Sequence, residues 1–419
     1  MLTFIPFIYF TGWLILHLSS PKMRFGAGAM ALLWIDISSF FAICIDMCDL
    51  YGQFGCNKDY ISLFGVILYC ILWTIILYPL MNLDKKDIIL PSNDTKPVLF
   101  KYLCIFMIIC MLIHLAITDI SDLTHRLSRD VAELYSEKQE RDVSTGGQKQ
   151  YWSWIPNIVA SFSVLYNLCW FISITINKQR KIISFPLLLS SAFSMLVGFA
   201  SGGRAALLWW TITFLTMYFF FKPKLSSRQL HIIRLCFILF GGIGAIGFAI
   251  ITIARFDDGA NNALFSFIGY AGQPINNFCA FLQYADFAHL YPDRIFPLYQ
   301  YIVKHQALKL IDYYMFLSNI YPLQMNVFAT LFGELIIDTG VAGLIIFLIL
   351  YTKITHSIRL KNSFALQDLF PIGILFCIPA RGLFAWPFSS HFESLYIFFS
   401  IFLHIIFKYS FRYGGKKLL

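Results

Sequence analysis

Residues 61–82 read ISLFGVILYCILWTIILYPLMN, twenty-two consecutive positions without a charge. Crossing ~30 Å of hydrocarbon takes ~20 apolar residues in a helix, so this stretch is long enough to span a bilayer. It is also one of many. Working outward from it, comparable apolar runs occupy 3–20, 25–47, 98–120, 153–175, 183–200, 205–221, 231–253, 326–351, 367–380 and 390–407, which makes eleven, the run at 367–380 being the shortest. The chain is 58% hydrophobic and only 13% charged over 419 residues, a balance that excludes an ordinary soluble domain. Long continuous runs, rather than short alternating strands, favour a helical bundle over a membrane barrel. The expected fold is therefore an all-α polytopic integral membrane protein of about eleven transmembrane helices, with residues 1–419 forming a single transmembrane domain. The first run lacks a basic leader and a small-residue cleavage site, and is expected to be retained.

Lysine and arginine concentrate in every other link. Examples are Lys85, Lys86 and Lys96 in 83–97, Lys178, Arg180 and Lys181 in 176–182, and Lys353, Arg359 and Lys361 in 352–366. The positive-inside rule places these links in the cytoplasm, with the N-terminus outside and the C-terminus inside. The net charge of +9 is then a topological feature, and no basic–aromatic stripe points to nucleic acid. The ten cysteines are scattered, mostly within apolar runs. Cys48 and Cys56 share an outward link and could form a disulfide or remain unrelated thiols. No Cys or His spacing indicates a metal site, and no cofactor motif occurs in a supporting context.

Two outward segments are long. In 121–152, Leu123, Leu127, Val131 and Leu134 recur at helical spacing among charges of both signs, the pattern of an amphipathic surface helix. Residues 255–325 form the larger segment, expected as a large extracytoplasmic loop of amphipathic stretches over the bundle. Tyr270, Gln273, Asn276 and Tyr313 within it offer aromatic faces and amides, the chemistry that holds sugars, although interfacial belt residues share that composition.

Three arginines stand at the outer edge, where basic residues are normally scarce. Arg204 follows Gly202 and Gly203 and precedes a helix start near Ala205. The glycines permit a tight turn, and the helix N-terminus presents unpaired N–H groups and a positive dipole end to an anion. Arg255 precedes Asp257 and Asp258, which either neutralise it or leave a carboxylate as general base. Arg381 ends an apolar run after Pro379, with His391 and Glu393 beyond it as acid–base candidates. Guanidinium groups bind phosphate through a planar fork of donors, so the three together suggest a pocket for a lipid diphosphate. Three intramembrane acids complete the inventory. Asp36 lies in the second run, and Glu334 and Asp338 fall one turn apart on one face in the ninth. Such acids are functional or pair with a partner charge. Gly340 and Gly343, close behind, suit tight helix packing.

SGGR at 201–204, ARFDD at 254–258 and FGELIIDTGVAG at 332–343, set in this layout, resemble the bacterial O-antigen polymerases (Wzy-type). The resemblance implies a membrane glycosyltransferase bundle (GT-C-like) in the bacterial inner membrane, with its active site facing the periplasm. It implies polymerisation of undecaprenyl-diphosphate-linked oligosaccharide repeat units, with undecaprenyl diphosphate leaving. No metal or other cofactor is expected. Membrane lipids and a polysaccharide chain-length regulator are the expected partners. Related O-antigen ligases carry a histidine before a Gly-x-x-Gly segment. The matching position here, near Ala329 and Thr330, has none, which argues against a ligase. A ligase and a non-enzymatic flippase or transporter are the alternatives.

Overall fold

The computed structural model describes residues 2–21, 23–52, 55–88, 98–117, 158, 159, 161–175, 181–200, 205–235, 237, 238, 242, 260–284, 294–303, 310–325, 327–361 and 363–413. In chain order the helices are α1 (Phe4–Ser19), α2 (Ala27–Met47), α3 (Leu63–Leu83), α4 (Val98–Ile117), α5 (Ser163–Thr175), α6 (Lys181–Ala200), α7 (Ala205–Phe221), α8 (Ala260–Gln283), α9 (Pro297–Val303), α10 (Leu310–Ile320), α11 (Thr330–Leu360), α12 (Leu366–Gly382) and α13 (His391–Tyr413). Two short strands, β1 (Asp87–Ile88) and β2 (Ser363–Phe364), pair in parallel. Among the described residues five helices, α2, α3, α4, α11 and α13, are long and apolar enough to cross a membrane. The chain is thus an all-α, membrane-embedded protein.

The chain divides into two compact units. One is bounded by Met1–Lys86, Phe256–Asn362 and Phe376–Ser394, the other by Asp87–Arg255, Ser363–Leu375 and Leu395–Leu419. In the first unit α1, α2 and α3 are fastened at one buried carboxylate. Gly26, at the head of α2, has no side chain to cap the helix. Instead Asp84, just past α3, accepts from the backbone N–H groups of Gly28 and Ala29 at 2.9 Å each, and lies 3.2 Å from Nε2 of His17 at the end of α1. Two orphan N–H groups and the positive helix end are satisfied together.

The segment expected as an outward loop contains three helices, α8, α9 and α10. Helix α8 packs along α2, α3 and α11. The contact with α2 is close: a Cβ on Gly272 would sit 2.5 Å from the backbone carbonyl of Phe41, and Ser38 donates to the Ala271 carbonyl at 2.6 Å. Helix α11 is broken at Gly340, which adopts φ 70° and ψ −178°. The atoms nearest a Cβ on Gly343 belong to Thr339 of the same helix. Gly340 is thus the position of the break.

In the second unit α5 packs against α6 and α7 through aromatic rings. Phe171 stacks on Phe221 at 5.4 Å and Trp170 on Phe214 at 5.6 Å. The Tyr166 hydroxyl donates to the Met107 carbonyl of α4 at 2.8 Å. The whole of the expected amphipathic segment 121–152 lies outside the described residues, and so do Gly202, Gly203, Arg204, Arg255, Asp257 and Asp258.

Candidate functional site

Arg381, in the last turn of α12, points its guanidinium at Glu393 in the first turn of α13. Nη1 pairs with Oε1 of Glu393 and also donates to the Pro387 carbonyl at 3.3 Å. Glu393 does more than neutralise the arginine. Its Oε2 accepts from Ser390 N at 3.2 Å, while Ser390 Oγ accepts from Glu393 N at 3.1 Å. This reciprocal pair is a capping box, Ser390 at the N-cap and Glu393 three residues on. The short Ser-x-x-Glu pattern was present in the sequence and is the feature that could have revealed it. Both side chains keep a partly open aspect, 14% exposed for Arg381 and 17% for Glu393. His391, at the start of α13, stacks flat on Tyr301 of α9, with centroids 4.7 Å apart and planes 2° apart. An arginine, a carboxylate, an imidazole and an open tyrosine ring are therefore gathered around the α12–α13 turn.

A second, buried cluster lies in the same unit. Asp338 and Glu334 project from α11 before its break, and both meet Arg294. Nη2 of Arg294 is 2.6 Å from Oε1 of Glu334, and Nη1 donates to the Tyr314 hydroxyl at 2.6 Å. Asp338 accepts from Arg294 N at 3.2 Å, from Ile295 N at 2.9 Å and from the Tyr313 hydroxyl at 2.6 Å. Glu334 also accepts from Trp386 N at 2.6 Å, which pins the turn that carries Arg381. Buried charges persist when paired and hydrogen-bonded. Arg294 and Glu334 are paired and each hydrogen-bonds to a further group, while among the described residues Arg294 Nε donates no hydrogen bond and Glu334 Oε1 accepts none. The expectation of a partner charge is met for Glu334 by Arg294, a residue no local pattern singles out, whereas Asp338 is held by two backbone N–H groups and a hydroxyl. Asp36, by contrast, faces a hydroxyl. Thr11 Oγ1 lies 3.0 Å from both of its oxygens.

The residues expected to hold sugars are distributed differently. Gln273 and Asn276 are buried and turned to the protein's own backbone. Gln273 accepts from Phe328 N at 3.2 Å. Asn276 accepts from Asn57 N at 3.0 Å and donates to the Asn57 carbonyl at 3.3 Å. Tyr313 is spent on Asp338. Tyr270 is half-buried, tilted against Phe328 at 5.8 Å. Among the described residues no group of three or more His, Cys, Asp or Glu could hold a metal ion. Compared with protein-family models, curated proteins and solved structures, the chain has no match.

Proposed function

We propose that this chain is a membrane glycosyltransferase of the O-antigen polymerase kind. It joins undecaprenyl-diphosphate-linked oligosaccharide repeat units on the periplasmic face of a bacterial inner membrane. The full reading has eleven spans, with 121–152 and 255–325 on the outer side. In the reaction a hydroxyl oxygen of the incoming repeat unit forms a bond to the anomeric carbon of the growing glycan. The bond from that carbon to the diphosphate breaks, undecaprenyl diphosphate leaves with the electron pair, and the hydroxyl proton passes to a base.

The observation that carries the reading is Arg381, held by Glu393 and Pro387 at a partly open helix end. A preorganised cation there stabilises charge developing on a departing diphosphate without reorganising during the reaction. Arg204 and Arg255, with Gly202 and Gly203, complete the proposed diphosphate site. Asp257, Asp258 and His391 are the candidates for the base. Glu393, committed to the cap and to Arg381, fits a positioning role. Tyr270 and Tyr301 offer aromatic faces to the sugars.

The test is reconstitution. Purified protein in phospholipid vesicles, given defined lipid-linked repeat units and no nucleotide, lengthens the glycan. The Arg381→Ala variant, still inserted, does not, and Arg381→Lys recovers only part of the activity because the planar fork is lost. Glycans of unchanged length with the wild-type chain would overturn the proposal, and lipid-linked units that only change leaflet would mark a carrier instead.

A further inference from the structure

Lys353 is exposed on α11. A charge on a lipid-facing surface costs ~3 kcal/mol at the bilayer centre, so Lys353 marks one edge of the hydrocarbon. Asp338 precedes it by fifteen residues in the same helix, which at ~1.5 Å per residue is about 22 Å. The break at Gly340 can only shorten that distance along the membrane normal. Hydrocarbon is ~30 Å thick, so Asp338 lies inside it, about 8 Å or more beneath the opposite edge. Snorkelling by Lys353 of less than about 8 Å leaves Asp338 inside.

The Asp338 carboxylate binds the backbone of Arg294 and Ile295 and the hydroxyl of Tyr313. Residues 294 and 295, just before α9, and the hydroxyl of Tyr313, reaching from the first turn of α10, therefore share that depth. Neither helix is long enough to cross: seven residues give about 10 Å and eleven about 16 Å. Their inner faces carry the buried Gln300, Tyr313 and Leu317, while Ile302 is 60%, Val303 54%, Met315 55% and Phe316 49% exposed. Asp312, the only charged residue in the two helices, is exposed in the first turn of α10 and, by the criterion applied to Lys353, marks the end of α10 that stays at the aqueous edge. Within the hydrocarbon exposed backbone must be satisfied internally. The Asp338 contacts do this for residues 294 and 295, and the Phe296 carbonyl accepts from Tyr299 N at 2.9 Å.

We infer that residues 294–303 and 310–320 form a partly inserted element whose exposed apolar face contacts the acyl chains of the leaflet opposite Lys353. Arg294, Glu334 and Asp338 are the anchor that holds it there. The inference does not need the catalytic reading, but it refines the placement of 255–325 proposed there, of which 294–303 and 310–320 then enter the adjacent leaflet.

The test uses the full chain in phospholipid vesicles. Spin labels are placed at Ile302→Cys and Phe316→Cys in a chain whose native cysteines are replaced, with Ile349→Cys as a bilayer reference and Asp59→Cys as an aqueous one. Labels at 302 and 316 are expected to relax with dissolved oxygen as the 349 label does, and to be several-fold less accessible than the 59 label to a water-soluble nickel chelate. Nickel accessibility like that at 59 overturns the inference. Shielding from both reagents overturns it as well, because protein, such as a second copy of the chain, then covers the face. Should the cysteine-free chain fail to fold, an apolar photoreactive azide dissolved in the bilayer can be applied to the unaltered chain. Peptides containing 297–303 and 310–320 are expected to take up the azide as those from 341–352 do, and absence of label from both overturns the inference.

Discussion

The guanidinium of Arg294 and the carboxylate of Glu334 meet at 2.6 Å with only 7% and 4% of their side chains exposed. At such burial, desolvation rivals attraction, and removing one partner costs far more than the pair contributes. Arg294→Ala is expected to destabilise the protein by about 3–5 kcal/mol, because Glu334 is stranded. The double variant Arg294→Met with Glu334→Gln should recover much of that loss. The Gln amide oxygen still accepts from Trp386 N, and no charge stays buried alone. Thermal unfolding in detergent, followed by size-exclusion chromatography after heating, reads both. A double variant less stable than the single one would disprove the stranded-charge explanation.

Glu393 separates a base from a positioning group. Glu393→Gln keeps an oxygen for Ser390 N but loses the charge facing Arg381. Glu393→Ala loses both and frays the head of α13, at a cost of about 1 kcal/mol for the cap. With Glu393 acting through Arg381, the Gln variant retains partial polymerisation with an unshifted pH profile, and the Ala variant retains little. A Gln variant as inactive as the Ala variant, with wild-type stability, assigns Glu393 the proton instead. Glycan length on a gel and the rate across pH decide between the two.

The helices and the membrane class could be read from the sequence because continuous apolar runs need no tertiary information. Glu334 and Asp338 could be placed on one face by spacing alone, and their need for a partner followed from burial. Which partner it was could not be read. Arg294 is brought to them by a fold-level contact, and in sequence it sits among polar and aromatic residues like any loop arginine. The same mixture concealed α8. Gln273, Asn276 and Asn277 look like solvent-facing amides until α2 and α11 enclose them and the backbone at Asn57 and Phe328 takes up their hydrogen bonds. At Gly340 the spacing to Gly343 imitates a packing motif, whereas the positive φ depends on what surrounds α11. The diphosphate site was the boldest expectation. Of its arginines Arg381 alone falls among the described residues, and its carboxylate partner twelve positions on needed the α12–α13 turn to become visible.

Cys48 and Cys56, neighbours in one link, are both free thiols, the first exposed and the second buried. Burial pushes the Cys56 thiol up to about 12, so at pH 9 only about one molecule in a thousand carries the reactive thiolate. A membrane-impermeant maleimide is expected to modify Cys48 within minutes at pH 7.5 and to spare Cys56 there and at pH 9. The order of modification stays the same across this pH range until the protein unfolds. Peptide mapping checks this. Equal modification of the two would show that the 50–56 turn opens readily, and a reductant-sensitive shift in gel mobility would show the disulfide that the structure lacks.

Gly340 tests the break in α11. Its φ of 70° and ψ of −178° fall in a region that only glycine occupies comfortably, at a cost of about 1–3 kcal/mol for other residues. Asparagine tolerates positive φ mainly in the left-handed helical well, where ψ is near +47°, and therefore gives no relief here. Gly340→Ala and Gly340→Asn are expected to lower stability alike. The alternative open to either variant is to straighten α11, which turns Val341 and the following residues relative to Glu334 and Asp338 and strains their hold on Arg294. Either variant combined with Arg294→Ala should then lose less than the sum of the separate losses, since residues in one network couple. Strict additivity would mean that the break and the ionic anchor act separately, and a well-tolerated Asn would place Gly340 in the left-handed helical region instead.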